Sequence, residues 1–175
     1  MKRFLSALAW VCASIALLLW AFIFSPIKYN LTPSVPVGFW YVHNIDRPLK
    51  RGDIVYFCPP NTPQFREARA RGYVPEGDCP GNYLHMMKPI AALPGDTVEV
   101  RPDGVRVNGR LIANSKPVSV DPKGRSMHPR LGKFKVVPGE VWLVSHFHPK
   151  SFDSRYFGPV SVKSLQAQAS RILGE

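Results

Sequence analysis

The sequence predicts a β-rich domain carried on a single N-terminal transmembrane helix. Phe4 to Phe24 form a run of 21 positions without charge, proline or glycine. Beyond that run, apolar residues recur with period two or in short stretches closed by Gly, Pro, Asn and Asp, which is the signature of strands and turns. Lys2 and Arg3 precede the run, which gives it an orientation.

As a helix at ~1.5 Å per residue, 21 residues span ~31 Å, the thickness of a bilayer core. Basic flanks stay cytoplasmic, so the chain divides into a cytoplasmic tip (1–3), an anchor (4–24) and an exported domain (25–175), periplasmic in a bacterium and attached to its inner membrane. A cleaved secretory signal is the alternative. Its apolar core covers only ~7–15 residues and ends at small side chains, whereas this run is longer and ends in Ala-Phe-Ile-Phe.

Within the exported part, Gly38 to Val42 and Asp53 to Cys58 read as two strands joined through a turn-rich link. Tyr83 to Ala92 reads as a third and ends at Leu93-Pro-Gly-Asp96, where proline presets φ and glycine takes the positive φ of a type II turn. Thr97 to Ala113 alternates apolar and polar residues around Pro-Asp-Gly and Asn108-Gly109, a hairpin signal. Ser115 to Lys133 is rich in Pro, Gly and charge and reads as a surface loop. Val136 to Ser145 gives a turn and a buried strand, and the alternation of Leu165 to Ser170 favours a last strand over a helix. No internal repeat is visible.

Lys and Arg number 23 against 12 Asp and Glu, a net charge of +11, or +9 once Lys2 and Arg3 are set aside. Such a domain is drawn to anionic lipid head groups. Nucleic acid is not the expected partner, because the basic residues are dispersed and the aromatics form no RNA-binding motif. Cys12 lies in the apolar run, which leaves Cys58 and Cys79 as a pair in an oxidising compartment. They bracket a polar, Pro- and Arg-rich excursion with little to bury, and closing a loop of that length contributes ~3 kcal/mol in the chain-entropy model. A Cys–Cys zinc pair is the alternative, but no CxxC or second close pair completes a tetrahedral site. No metal and no cofactor is expected.

Ser34 sits in Thr32-Pro-Ser-Val-Pro-Val-Gly-Phe-Trp40. Prolines 33 and 36 fix φ and bias the residues before them to extended backbone, so this hydroxyl is held with little freedom, as a nucleophile requires. The five histidines show no triad order and no nucleophile elbow. Lys88, in His85-Met-Met-Lys-Pro-Ile-Ala91, is a lone lysine among apolar neighbours. An edge-strand lysine that snorkels is the ordinary reading. Desolvation, however, disfavours an ammonium and lowers its pKa, the direction a general base needs.

The stretches TPSVPVGFW, MKPIAALPGD and SFDSRYFGPV resemble the three ordered motif boxes of type I signal peptidases, membrane-anchored Ser/Lys proteases with a signal peptidase/LexA-like β-fold. Length, anchor, excursion and the S-V-P-V-G-F-W wording resemble most the TraF-type conjugal-transfer branch, which matures a pilin subunit. The resemblance implies Ser34 as nucleophile and Lys88 as base. Thr32 falls at a hydroxyl position that serves the oxyanion hole with the Ser34 N–H, and Ser151 falls where a serine hydroxyl bonds the lysine. Asp153 and Arg155 match the Asp-Ser-Arg of the third box. A carboxylate touching Lys88 would raise its pKa, so Asp153 is expected to pair with Arg155.

The family usually has methionine after the nucleophile, where this chain has Val35, and its Gly-Asp-Asn opening of the third box reads Ser145-His-Phe147. These departures favour a dedicated substrate. The implied activity is a serine endopeptidase that processes an exported pilin precursor through an acyl-enzyme, resolved by water or by the substrate's amino terminus. The alternatives are a general signal peptidase and a non-catalytic scaffold of a secretion or conjugation complex.

Overall fold

Short apolar runs interrupted by turn residues become twelve strands, three α-helices and one 3-10 helix (Val162–Ser164) in the computed structural model, which describes residues 2–23 and 25–172. In chain order these are α1 (Lys2–Ile23), β1 (Ile27–Asn30), β2 (Gly38–His43), β3 (Ile54–Phe57), α2 (Pro63–Ala70), β4 (Glu76–Cys79) and β5 (Met86–Ala92). There follow β6 (Thr97–Arg101), β7 (Gly104–Val107), β8 (Arg110–Leu111), β9 (Gly132–Lys135), β10 (Glu140–Leu143), α3 (Ser154–Phe157), β11 (Val160–Ser161) and β12 (Leu165–Arg171). A helix thus covers most of the expected anchor and leaves large apolar side chains such as Trp10 and Leu17 exposed. Among the described residues no helix is long and apolar enough to cross a membrane. Met1 and Phe24, at the limits of the expected tip and anchor, lie outside the described residues.

Seven strands form one antiparallel sheet in the order β1-β2-β12-β3-β5-β10-β11, and four form a second in the order β8-β7-β6-β9. The C-terminal alternation is a strand, inserted between β2 and β3. Alternate valines of the hairpin, Val98 and Val100 opposite Val107 and Val105, turn to one face and pack with Trp142 and Val144. Between β7 and β8, Asn108 and Gly109 both take positive φ, as a type I′ turn demands. A larger core gathers Phe57, Phe65, Tyr83, Ile90, Leu143 and Phe157.

Asp96 closes the Leu93-Pro-Gly-Asp turn by accepting from the Leu93 N–H (2.8 Å), and it also accepts from Arg51 Nε (2.8 Å) and Asn108 Nδ2 (2.8 Å). The Arg51 hydrogen bond, against the opposing effect of burial, holds this carboxyl down to about 2. One aspartate thereby fixes the second sheet to the first.

Two readings of the sequence need correction. The excursion between Cys58 and Cys79 does bury apolar surface: it contains α2, whose Phe65 and Ala68 enter the larger core with Val74. Thr62 caps this helix and Pro63 opens it, a start signal legible in the residues themselves. The Ser115–Lys133 loop also ends early, because Gly132 and Lys133 already belong to β9, paired with Val100 and Glu99.

Cys58 and Cys79 form a disulfide with Cα atoms 5.5 Å apart and a sequence separation of 21. His85 lies close enough to complete a three-ligand cluster with the two sulfurs, but both are committed to each other. Replacing both cysteines with alanine is expected to lower stability by ~3 kcal/mol, read from the full urea unfolding curve, in which the midpoint falls.

Candidate active site

The turn that presents Ser34 is built by more than its prolines. Asn30, the buried last residue of β1, donates through Nδ2 to the carbonyls of Thr32 (2.6 Å), Val35 (3.0 Å) and Pro36 (3.2 Å). Trp40 Nε1 donates to Pro36 O at 3.0 Å, and Ser145 Oγ donates to Ser34 O at 2.6 Å. Val35 is fully buried against Trp40 and Met87, so the side chain after the serine anchors the turn. The hydroxyl of residue 34 is thereby left to face its partners.

Those partners come from β5 and from the segment before α3. Lys88 Nζ donates to Ser34 Oγ and, at 2.9 Å, to Ser151 Oγ, while the two serine oxygens are 3.2 Å apart. Ser34, Lys88 and Ser151 are all buried. Lys88 pairs with Val55 of β3, and the β5–β10 ladder begins at the Leu143–Ile90 pair. Pro89, which has no N–H to offer, therefore stands where β10 makes no demand on it. Burial in this setting pulls the Lys88 amine from its ordinary 10.5 to about 8. The pull of Asp153 in the other direction is smaller and is opposed by Arg155.

Asp153 and Arg155 are both without solvent exposure. Arg155 Nε donates to Asp153 Oδ1 and Arg155 Nη2 to Asp153 Oδ2, each at 2.8 Å, and Asp153 also accepts from the N–H groups of Arg155 (3.1 Å) and Ser145 (3.0 Å). The remaining guanidinium donors reach the carbonyls of Ser145 (3.0 Å), Pro149 (3.0 Å), Asn114 (3.2 Å) and Lys116 (3.4 Å). The pair thus ties together the loops that carry Ser145 and Ser151, the two serines that touch residue 34 or its lysine. It makes no hydrogen bond to Lys88 itself among those described.

Thr32 stands at the start of the turn, with its hydroxyl donating to Asn30 Oδ1 at 3.2 Å. The structure accordingly brings Ser34, Lys88 and Ser151 into mutual contact, places Asp153 and Arg155 behind them, and turns Thr32 toward Asn30. Asn30 and Ser145 escaped the sequence reading. A lone asparagine before a Pro-rich stretch gives no signal of its own, and Ser145 stood in view as the end of a strand and as a departure from a family motif.

Ser34, Lys88 and Ser151 open into a largely apolar groove of about 980 Å³. Met86, Met87 and Leu84 lie along it, with Tyr73 and Val74 from the disulfide-bracketed segment on one wall and residues 116–122 on another. A buried alcohol beside a partly neutral amine, facing an extended apolar trough, is equipped to attack an acyl carbon and to hold a peptide while doing so.

The sequence matches the family described as "Signal peptidase, peptidase S26" over residues 1–173. It is 42% identical over 142 residues to a conjugal transfer protein TraF of Agrobacterium tumefaciens (strain 15955), covering 81% of this chain and 79% of that protein. It is 43% identical over 136 residues to a plasmid transfer protein TraF of Escherichia coli, covering 77% and 75%. Among solved structures, a signal peptidase I from Enterococcus faecalis V583 aligns with a TM-score of 0.40 and 23% identity, over 71% of this chain and 98% of that one.

Proposed function

Because the chain belongs to the signal peptidase family, peptidase S26, we propose that it is a Ser/Lys endopeptidase in which Ser34 is the nucleophile and Lys88 the general base. The observation that carries this is the buried Lys88 amine bonded to Ser34 Oγ, with its pKa drawn toward neutrality. Neutral Lys88 accepts the Ser34 proton as Oγ attacks the scissile carbonyl, and Ser151 Oγ, 2.9 Å from Nζ, keeps the amine aimed. The Ser34 N–H and the Thr32 hydroxyl, once it leaves Asn30 Oδ1, hold the oxyanion. Lys88 then returns its proton to the leaving amine, and an acyl group remains on Ser34.

The substrate we assign is an exported pilin precursor processed for conjugative transfer, as the relatives named for conjugal and plasmid transfer suggest. The apolar run 4–24 and the basic pair before it support a single inner-membrane anchor with the catalytic domain in the periplasm. The ten residues from Phe24 to Ser34 can extend at most ~35 Å, which keeps the nucleophile close to a membrane-held substrate. Either water or the substrate's own amino terminus resolves the acyl-enzyme.

The test is mass spectrometry of the pilin from cells carrying the native chain or Ser34→Ala. The native chain is expected to give a shortened product, linear or cyclic, and the variant only the uncut precursor. Maturation that continues in the variant would leave the chain a scaffold and not a peptidase.

A further inference from the structure

The groove that holds Ser34 is unbalanced in charge. Lys28, Lys88, Lys116 and Lys150 line it, and the carboxylate that lines it among the described residues is Asp121. That carboxylate is already committed: it accepts from Tyr73 Oη (2.5 Å), Arg125 Nε (2.6 Å) and the N–H groups of Lys123 (2.9 Å) and Arg125 (2.8 Å). No ion pair among the described residues engages Lys116 or Lys150.

The backbones that carry these two lysines are held together by one group. Arg155 Nη1 donates to Lys116 O and to Pro149 O, the residue before Lys150, and Lys150 directly precedes Ser151, which bonds the Lys88 amine. Further along the first segment, the Val118 N–H donates to Tyr156 Oη at 3.0 Å and Asp121 is clasped to Tyr73. Lys116 and Lys150 are therefore exposed cations on fixed backbone at the rim of an apolar trough. A chain that lies in the trough meets apolar side chains along it and two ammonium groups, of Lys116 and Lys150, that line the same groove as Ser34.

We infer that Lys116 and Lys150 are specificity-determining residues that bind a carboxylate, Asp or Glu, carried by the substrate within a few residues of the cleaved bond. This rests on the peptidase reading above and adds to it the class of substrate: an extended apolar segment with an acidic side chain next to the cut. Because the pair acts on binding and not on proton transfer, its effect falls mainly on KM. Ion pairs of this exposure contribute ~0.2–1 kcal/mol each, so two together correspond to about a two- to thirtyfold change in kcat/KM, reduced by salt.

The experiment uses the full-length chain in detergent and an internally quenched peptide spanning the junction that mass spectrometry of the precursor identifies. Three versions carry Glu, Gln or Lys at the third position on each side of the cut. The native enzyme is expected to rank them Glu, Gln, Lys in falling kcat/KM, and K116E/K150E is expected to reverse the order. Ser34→Ala must be inactive on all three; if it cleaves, the peptidase reading itself fails. If Ser34→Ala is inactive but the native enzyme treats the three peptides alike, the carboxylate site alone is overturned. It is equally overturned if peptide charge has no effect while K116E/K150E loses affinity for phosphatidylglycerol vesicles, because the lysines then serve a lipid surface.

Discussion

Lys88→Arg is expected to lower kcat/KM by about 10²–10⁴-fold although it preserves the positive charge, because a guanidinium does not release its proton in this pH range. Lys88→Met should be equally inactive, yet the two variants should part in stability. At neutral pH the native fold carries an amine drawn from 10.5 to about 8 by burial, a burden of roughly 3 kcal/mol. The sign follows from proton counting. Between pH 8 and 10.5 the unfolded chain holds a proton that the folded one has released, so this burden shrinks as pH rises and is complete below pH 8. Methionine removes it, so Lys88→Met should unfold at a higher urea concentration than the native chain at pH 7 and lose that advantage by about pH 10.5. If Lys88→Arg retains a tenth or more of native activity, a base at this position is excluded.

The second large effect concerns stability. Arg155→Met leaves Asp153 buried without its guanidinium, and breaking a buried pair from one side costs about 3–5 kcal/mol. For a domain of this size that is a fall in melting temperature of about 6–20 °C by circular dichroism. The double variant with Asp153→Asn, which buries no charge, should recover a substantial part of the loss. Activity should fall in both, since Arg155 also ties the Pro149 and Ser145 carbonyls and through them the loops that position Ser151 and Ser34. A single variant that melts within about 2 °C of the native chain would mean the pair is not the tie described.

Much of this was legible in the residues. Period-two alternation gave the hairpin of β6 and β7, because one buried face forces valines to every second position. Asn108-Gly109 announced the turn from β7 into β8, where both residues adopt positive φ. Two prolines around one serine marked the Ser34 turn, and a lone lysine in an apolar strand marked Lys88. Other features had no local signal. Asn30 acts by bonding three carbonyls of a turn two to six residues later, which only folded geometry reveals. The helix α2 has a start signal in Thr62-Pro63, but no apolar face follows it, because Phe65 and Ala68 are too few to outweigh the charged residues around them. The role of Arg155 as a hub depends on loops at residues 114–116, 145 and 149, which meet only in three dimensions.

The pH dependence of kcat/KM for the full-length enzyme on its junction peptide bears most directly on the neutral amine at position 88. The expected profile rises tenfold per pH unit in acid and levels off above an apparent pKa of about 8, with that limb absent from Lys88→Arg. A profile flat from pH 9 down to pH 5 would contradict it, because an ammonium held at low pH has no capacity to take the proton from Ser34.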